Sequence, residues 1–165
     1  MDDFIIRNSK IGDLDAIVNI YNDMVSQRLA TAYTETVKDE DKKKWYKEKN
    51  TKRFPIEVIE HKGKIIAWMN FQQINPLPIF DDVAEINLFI SRNFRGRKMG
   101  FQLIEKSLNE AYKFNLKAIH AYVYELSKEG IYLFKKAGFK EWGRLPEIVT
   151  FDGAKHDLII LGKKV

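Results

Sequence analysis

One stretch limits what this chain can fold into more than any other: Glu85-Ile86-Asn87-Leu88-Phe89-Ile90-Ser91-Arg92-Asn93-Phe94-Arg95-Gly96-Arg97-Lys98-Met99-Gly100-Phe101. Its first half reads as a strand whose period of two puts Glu85, Asn87 and Phe89 on one face. Arginines and two glycines follow. Leu103, Ile104, Leu108, Ala111, Tyr112 and Phe114 then recur at helical spacing. A strand that feeds a helix through a short basic loop leaves the first helical N–H groups, and the positive end of the helix dipole, open at the strand's end. Such a place can hold a pyrophosphate. Gly96 and Gly100 allow a close backbone approach, and Arg92, Arg95, Arg97 and Lys98 add positive charge. The loop has neither the G-x-G-x-x-G dinucleotide pattern nor the Gly-Lys-Ser/Thr of a Walker A loop. Taken alone, it reads equally well as an ordinary strand-to-helix turn with exposed arginines.

The rest of the chain surrounds this unit with mixed periodicities. Phe4–Arg7 reads as a strand. Asp13 is placed to cap a helix with apolar Leu14, Ile17, Val18, Tyr21, Met24 and Val25, and a more charged helix spans about Asp39 to Lys49 with Trp45 inward. Ile56–Glu60 and Ile65–Gln73 form a hairpin about the turn 61–64, and Asn75-Pro76-Leu77-Pro78 ends the second strand. Val83–Ile90 is a strand, Lys117–Tyr124 another, and Ser127–Ala137 a helix stopped by Gly138. Strands near Trp142–Phe151 and His156–Leu161 close the chain through Asp152-Gly153. The order β-α-α-β-β-β-α-β-α-β-β implies an α/β (α+β) fold, a mixed sheet with helices on both faces. No linker or repeat divides it, so residues 1–165 are expected to form one domain.

Composition excludes several functions. A 45% hydrophobic and 31% charged chain is not disordered, and no run of eighteen apolar residues suits a transmembrane helix. The acidic start Met1-Asp2-Asp3-Phe4 is unlike a signal peptide, so a cytoplasmic location is expected. Without cysteine there is no thiolate nucleophile or thiolate metal site. His61, His120 and His156 are not at ligand spacing, so no metal is expected, and His120 falls in with strand core positions. A net charge of +5 suits an anionic partner or a plain lysine-rich surface. The aromatics fall at core spacing rather than in an exposed stacking row, which ranks nucleic acid last.

Two motifs carry a resemblance. Arg95-Gly96-Arg97-Lys98-Met99-Gly100 resembles the acetyl-CoA loop [QR]-x-x-G-x-[GA] of GNAT N-acetyltransferases, with Lys98 at the first motif glycine. A lysine there offers its backbone N–H if its φ is negative. Ser127 to Phe139 resembles the family's N-x-x-S-x-x-L-[YH]-x-x-x-G-F segment: Leu133, Gly138 and Phe139 match, while Ser127, Gly130 and Phe134 replace asparagine, serine and Tyr/His. Ile17–Asn22, Trp45 and Glu85–Ser91 are similar to the phosphinothricin and methionine sulfoximine acetyltransferase subgroup, and the likeness covers nearly the whole chain.

The resemblance implies a GNAT fold, a mostly antiparallel twisted sheet of about seven strands with about four helices. It also implies acetyl-CoA as cosubstrate and a small amine as acceptor. Glu85 is the expected base. Leu88, Phe89 and Ile90 are expected to meet the cofactor through their backbone, Gly96–Phe101 to hold the pyrophosphate, Ser127 to bond the pantetheine arm and Phe134 to pack on it. Tyr33, Asn75 and Asn87 are the acceptor-binding candidates; with no arginine between Arg53 and Arg92, they suit a more neutral or larger amine. The subgroup likeness implies a homodimer. Two other functions fit the same fold: acetylation of a protein N-terminus or lysine, and non-catalytic acyl-CoA binding, the latter suggested by the replacements at Lys98, Ser127 and Phe134.

Overall fold

The computed structural model describes residues 4–29, 34–96 and 98–165. Eleven regular elements follow in the order β1 (Phe4–Asn8), α1 (Leu14–Ser26), α2 (Lys42–Lys49), β2 (Glu57–His61), β3 (Lys64–Gln73), β4 (Val83–Ile90), α3 (Met99–Glu110), β5 (Ala118–Tyr124), α4 (Lys128–Lys136), β6 (Lys140–Phe151) and β7 (Ala154–Lys164). The strands form a single seven-stranded sheet ordered β1-β2-β3-β4-β5-β7-β6. Each neighbouring pair is antiparallel except β4 and β5.

Local chemistry sets the connections. Lys62 and Gly63, and likewise Asp152 and Gly153, all have positive φ. These are two-residue hairpin turns whose twist matches that of the strands they join. Gly138, at φ +88°, ends α4 as the sequence predicts, and Phe139 N–H returns to Phe134 O at 3.1 Å. Asp13 does not cap α1 with its side chain. Its carboxylate instead takes two hydrogen bonds from Arg7, at 2.7 and 2.9 Å, and one from the Lys10 amide at 2.7 Å. The second helix is shorter than expected, and its fully buried ring is Tyr46 rather than Trp45. The Tyr46 hydroxyl bonds Ser9 and Asn50, while Trp45 lies against Tyr21 and Trp68.

The two faces of the sheet are covered differently. On one, α1 and α2 pack Ile17, Tyr21 and Tyr46 onto Trp68 and Phe89, whose rings stack at 4.3 Å. On the other, α3 and α4 bury Ile104, Phe134, Phe139, Ile119 and Leu161. Burial of about ten large apolar side chains on each face, at roughly 1.5–3 kcal/mol apiece, is the main term holding both layers to the sheet.

The parallel pair is the feature that creates a site. Its register covers only Val83↔Ala118, Ala84↔Ile119 and Glu85↔His120. Beyond Glu85, β4 remains paired with β3 out to Ile90, and β5 with β7 out to Tyr124. The sheet therefore opens into a wedge with Glu85 and His120 at its vertex.

Candidate functional site

Strand alternation places Glu85, Asn87 and Phe89 on the α1/α2 face of β4. Their partners across the β3 ladder are Gln72, Asn70 and Trp68, so the same face carries two adjacent polar rows before it turns aromatic. Polar groups here are deeply buried. Glu85 is 7% exposed and Asn87 1%. Burial pushes the Glu85 carboxyl up to about 7, against the attraction of Lys49, which pulls it down. His120, its neighbour in register, is pulled down to about 4 by burial and is neutral. The sequence places His120 among core positions; it is buried, and it also borders this row, its ring 4.8 Å from that of Tyr122.

Several buried polar atoms on this face have no partner among the described residues: both carboxamide atoms of Asn87, Asn70 Oδ1, His120 Nε2 and the Tyr124 hydroxyl. Buried polar groups are nearly always bonded, so a cluster of orphans marks a place where water or a ligand completes the network.

The wedge also exposes main-chain donors. Ser91 N–H bonds Ile66 O across the ladder, at 2.8 Å, so Phe89 and Asn87 point their N–H groups the same way, toward β3. Leu88 and Ile90 then point theirs away from β3, into the opening. The Ile90 amide meets Met24 Sδ at 3.2 Å, a weak acceptor. The Leu88 amide faces the wedge, while Phe89's ring is spent on Trp68 and Tyr21.

Past Ile90 the chain makes a tight basic loop and starts α3. Met99, Gly100 and Phe101 open α3, and the first amides of a helix are the ones its own ladder leaves unpaired; Gln102 N–H reaches Lys98 O at 3.2 Å. Gly96 has φ +75° and open space on its Cβ side. At Gly100 a Cβ would come within 2.9 Å of Leu133 Cδ2 and 3.3 Å of Ile90 Cδ1, so glycine here brings α3 close to α4 and β4.

A family model spans these parts, the wedge with its buried carboxylate and the amides at the helix start. The family described as Acetyltransferase (GNAT) covers residues 15–139. The chain belongs to the GNAT acetyltransferase family. YwnH of Bacillus subtilis (strain 168), provisionally named a phosphinothricin acetyltransferase, is 34% identical over 161 residues, spanning 97% of this chain and 98% of YwnH. The L-methionine sulfoximine/L-methionine sulfone acetyltransferase of Pseudomonas aeruginosa is 24% identical over 157 residues, or 94% and 91% of the two chains. A crystal structure of the ribosomal-protein-alanine N-acetyltransferase from Brucella melitensis has a TM-score of 0.88 at 27% identity, covering 98% of this chain and 99% of that one.

Set on this GNAT frame, some expected residues fall differently from their sequence reading. Lys98 does not have the negative φ under which its N–H was expected to serve. It sits at φ +64° as the residue preceding α3, the left-handed conformation that explains why the family motif has glycine there. The Arg95 guanidinium is not offered to the loop. It bonds Ile90 O at 2.8 Å, Gln27 Oε1 at 2.8 Å and Asp23 Oδ2 at 3.1 Å, tying the end of β4 to α1. Phe134 is 5% exposed, and its ring is taken by the core against Phe139. Asn75 Oδ1 accepts the Leu77 amide at 3.0 Å, so its carboxamide serves its own turn. Ser127 is buried beside Gly130, where a Cβ would lie 2.6 Å from Ser127 Oγ. The replacements at 127 and 130 thus share one space. Tyr33 and Arg97 lie outside the described residues.

Sequence reading missed Lys49, Gln72 and Asn70. Lys49 Nζ donates to Gln72 Oε1 at 2.6 Å, and Asn70 Nδ2 to Lys49 O at 2.9 Å. A signal was available in helical phase: Lys49 is three residues from Tyr46 and four from Trp45, the inward side of α2.

Proposed function

We propose that this acetyltransferase moves an acetyl group from acetyl-CoA to the primary amine of a small, amino-acid-like molecule, with Glu85 as the base. The observation that carries the reading is the position of Glu85, a buried carboxylate at the vertex of the β4–β5 wedge whose proton affinity lies near neutrality. An amine attacks a thioester only through its free lone pair, and most free amines are protonated at pH 7. A base with a proton affinity near the working pH is the efficient one. Glu85 receives the proton, directly or through a water held by Asn87 and His120, as the C–N bond forms and the C–S bond breaks.

The remaining roles follow from the free donors. The Leu88 amide supplies a hydrogen bond to the thioester oxygen as it gains negative charge. The amides of Met99, Gly100 and Phe101 receive the pyrophosphate, with Gly96 giving the loop room. Ser127 borders the pantetheine arm, and Asn87 and Asn70 present their carboxamides to the acceptor. The thiolate leaves without a phenol at 134, because a thiol with a pKa near 8.5 is an adequate leaving group. Likeness to YwnH and to the methionine sulfoximine enzyme supports the small acceptor. A homodimer is part of the proposal, and exposed Trp142, Leu145 and Ile148 give β6 an apolar edge for it.

The test is calorimetric titration with acetyl-CoA and no acceptor, followed by an amine screen. Saturable micromolar binding, weaker for dephospho-CoA and at higher salt, is expected. No heat and no thermal stabilisation at millimolar acetyl-CoA would defeat the reading.

A further inference from the structure

Within the lysine-rich helix KKKWYKEK, Lys49 carries an ammonium that burial desolvates. Its neighbours Lys43, Lys44 and Lys47 are exposed, whereas Lys49 occupies the phase of Trp45 and Tyr46. Two bonds fix it at both ends. Asn70 Nδ2 holds its carbonyl, which anchors the last turn of α2 on β3, and its ammonium bonds Gln72 Oε1. Gln72 is the cross-strand partner of Glu85, so this bond sets the ammonium over the pair that contains the carboxylate. The groups around Glu85 from each packed element are few. From α2 there is Lys49, with Glu48 acting on Lys49 in turn. From β3 there is uncharged Gln72, and from β5 there are neutral His120 and Tyr122. Lys49 is therefore the cation acting on Glu85 among the described residues.

We propose that Lys49 is a positioning residue of this site: its ammonium, fixed over the β3–β4 pair by Gln72 and Asn70, keeps the buried Glu85 carboxylate available as a base at neutral pH. A carboxylate this deep, without an opposing charge, holds its proton well past neutrality. An ammonium free to swing into solvent would be screened and would act on it weakly. The arrangement also accounts for an otherwise costly feature, a half-buried lysine whose ammonium bonds a carboxamide. The bond to Gln72, the cross-strand partner of Glu85, holds the ammonium where its charge acts on the carboxylate.

This inference rests on the reading of Glu85 as base, so the experiment follows the proton itself rather than turnover. The carboxyl C=O band that is present in the wild type and absent in Glu85→Gln is titrated by infrared difference spectroscopy in the unliganded protein. Lys49→Met and Lys49→Gln, each checked for folding by near-ultraviolet dichroism, should raise its midpoint by about one pH unit, the shift an opposite charge at this range produces. Lys49→Arg should leave it near the wild-type value. Lys49→Gln keeps the test intact if methionine is not tolerated. Midpoints equal to wild type in the folded neutral variants would overturn the proposal. A raised carboxyl midpoint that the pH–rate profile does not follow would instead remove Glu85 as the base while leaving the coupling in place.

Discussion

Replacing Glu85 with glutamine should make the protein less active and more stable, and the two effects should share one pH dependence. In the folded protein the carboxyl is raised from its ordinary 4.5 to about 7, chiefly by burial. The folded state thus binds a proton that the unfolded state has released between those values. Stability must therefore fall as pH rises through this window and level off above it. At about 1.4 kcal/mol per pH unit, the buried charge costs about 3 kcal/mol at pH 8 and almost nothing at pH 4.5. Glutamine resembles the protonated acid at every pH, so Glu85→Gln should match wild type in urea unfolding near pH 4.5 and exceed it by about 2–3 kcal/mol at pH 8. Its acetyl-transfer rate at pH 8 should drop by about 10²–10⁴-fold, the usual contribution of a positioned base. The wild-type rate should rise about tenfold per pH unit below pH 7 and flatten above it. A variant less stable than wild type at pH 8, or a stability difference that does not grow with pH, would refute the claim that burial outweighs the attraction of Lys49 at Glu85. Unchanged turnover would refute its role as base.

Three further substitutions test the frame around it. Lys98→Gly relieves a left-handed lysine and should raise stability by about 1 kcal/mol in thermal unfolding, with acetyl-CoA affinity retained or improved because the contact is made by backbone. Arg95→Lys keeps the charge but loses the fork that reaches Ile90, Gln27 and Asp23; it should destabilise by about 1–3 kcal/mol without changing the salt dependence of acetyl-CoA binding, whereas a phosphate-contacting arginine would alter that dependence. Gly162→Ala places a methyl group within the Trp142 ring, which covers this glycine; the ring must leave, costing about 1–3 kcal/mol and shifting tryptophan fluorescence, and an unchanged spectrum would count against the packing.

The architecture was legible because its periodicities were clean. Alternation in Val83–Ile90 and helical spacing after Met99 gave both elements, and turn chemistry at 62–63 and 152–153 located the two hairpins. The misreadings have physical causes. Asp13 satisfied a capping pattern, but an arginine from β1 arrived to claim its carboxylate, a tertiary event that local spacing cannot register. In α2, Trp45 is the larger ring, yet Tyr46 has a hydroxyl that finds partners inside, and that decides which of the two is fully buried.

The site divides along the same line, between what a residue type implies and what its neighbours make of it. Glu85 was recognisable, since a carboxylate alternating with apolar positions in a central strand invites explanation. The basic loop suggested an anion site, and the charge of Arg95 was counted toward it. Arginine in a loop signals phosphate only if its guanidinium is free, and Arg95 is occupied by a carbonyl, a carboxamide and a carboxylate before any ligand arrives. In the proposed reading the phosphates are left to backbone, the amides at the start of α3, placed by the left-handed Lys98 and the close packing at Gly100. The reverse holds for Lys49. Among seven charged or aromatic neighbours in α2 its side chain looks like any solvated lysine, and only the contact of α2 with the polar rows of β3 and β4 gives it a task. If Glu85 is the base as proposed, the cation that acts on it lies in the helix least suggestive of chemistry, while an arginine of the motif serves as a brace between β4 and α1.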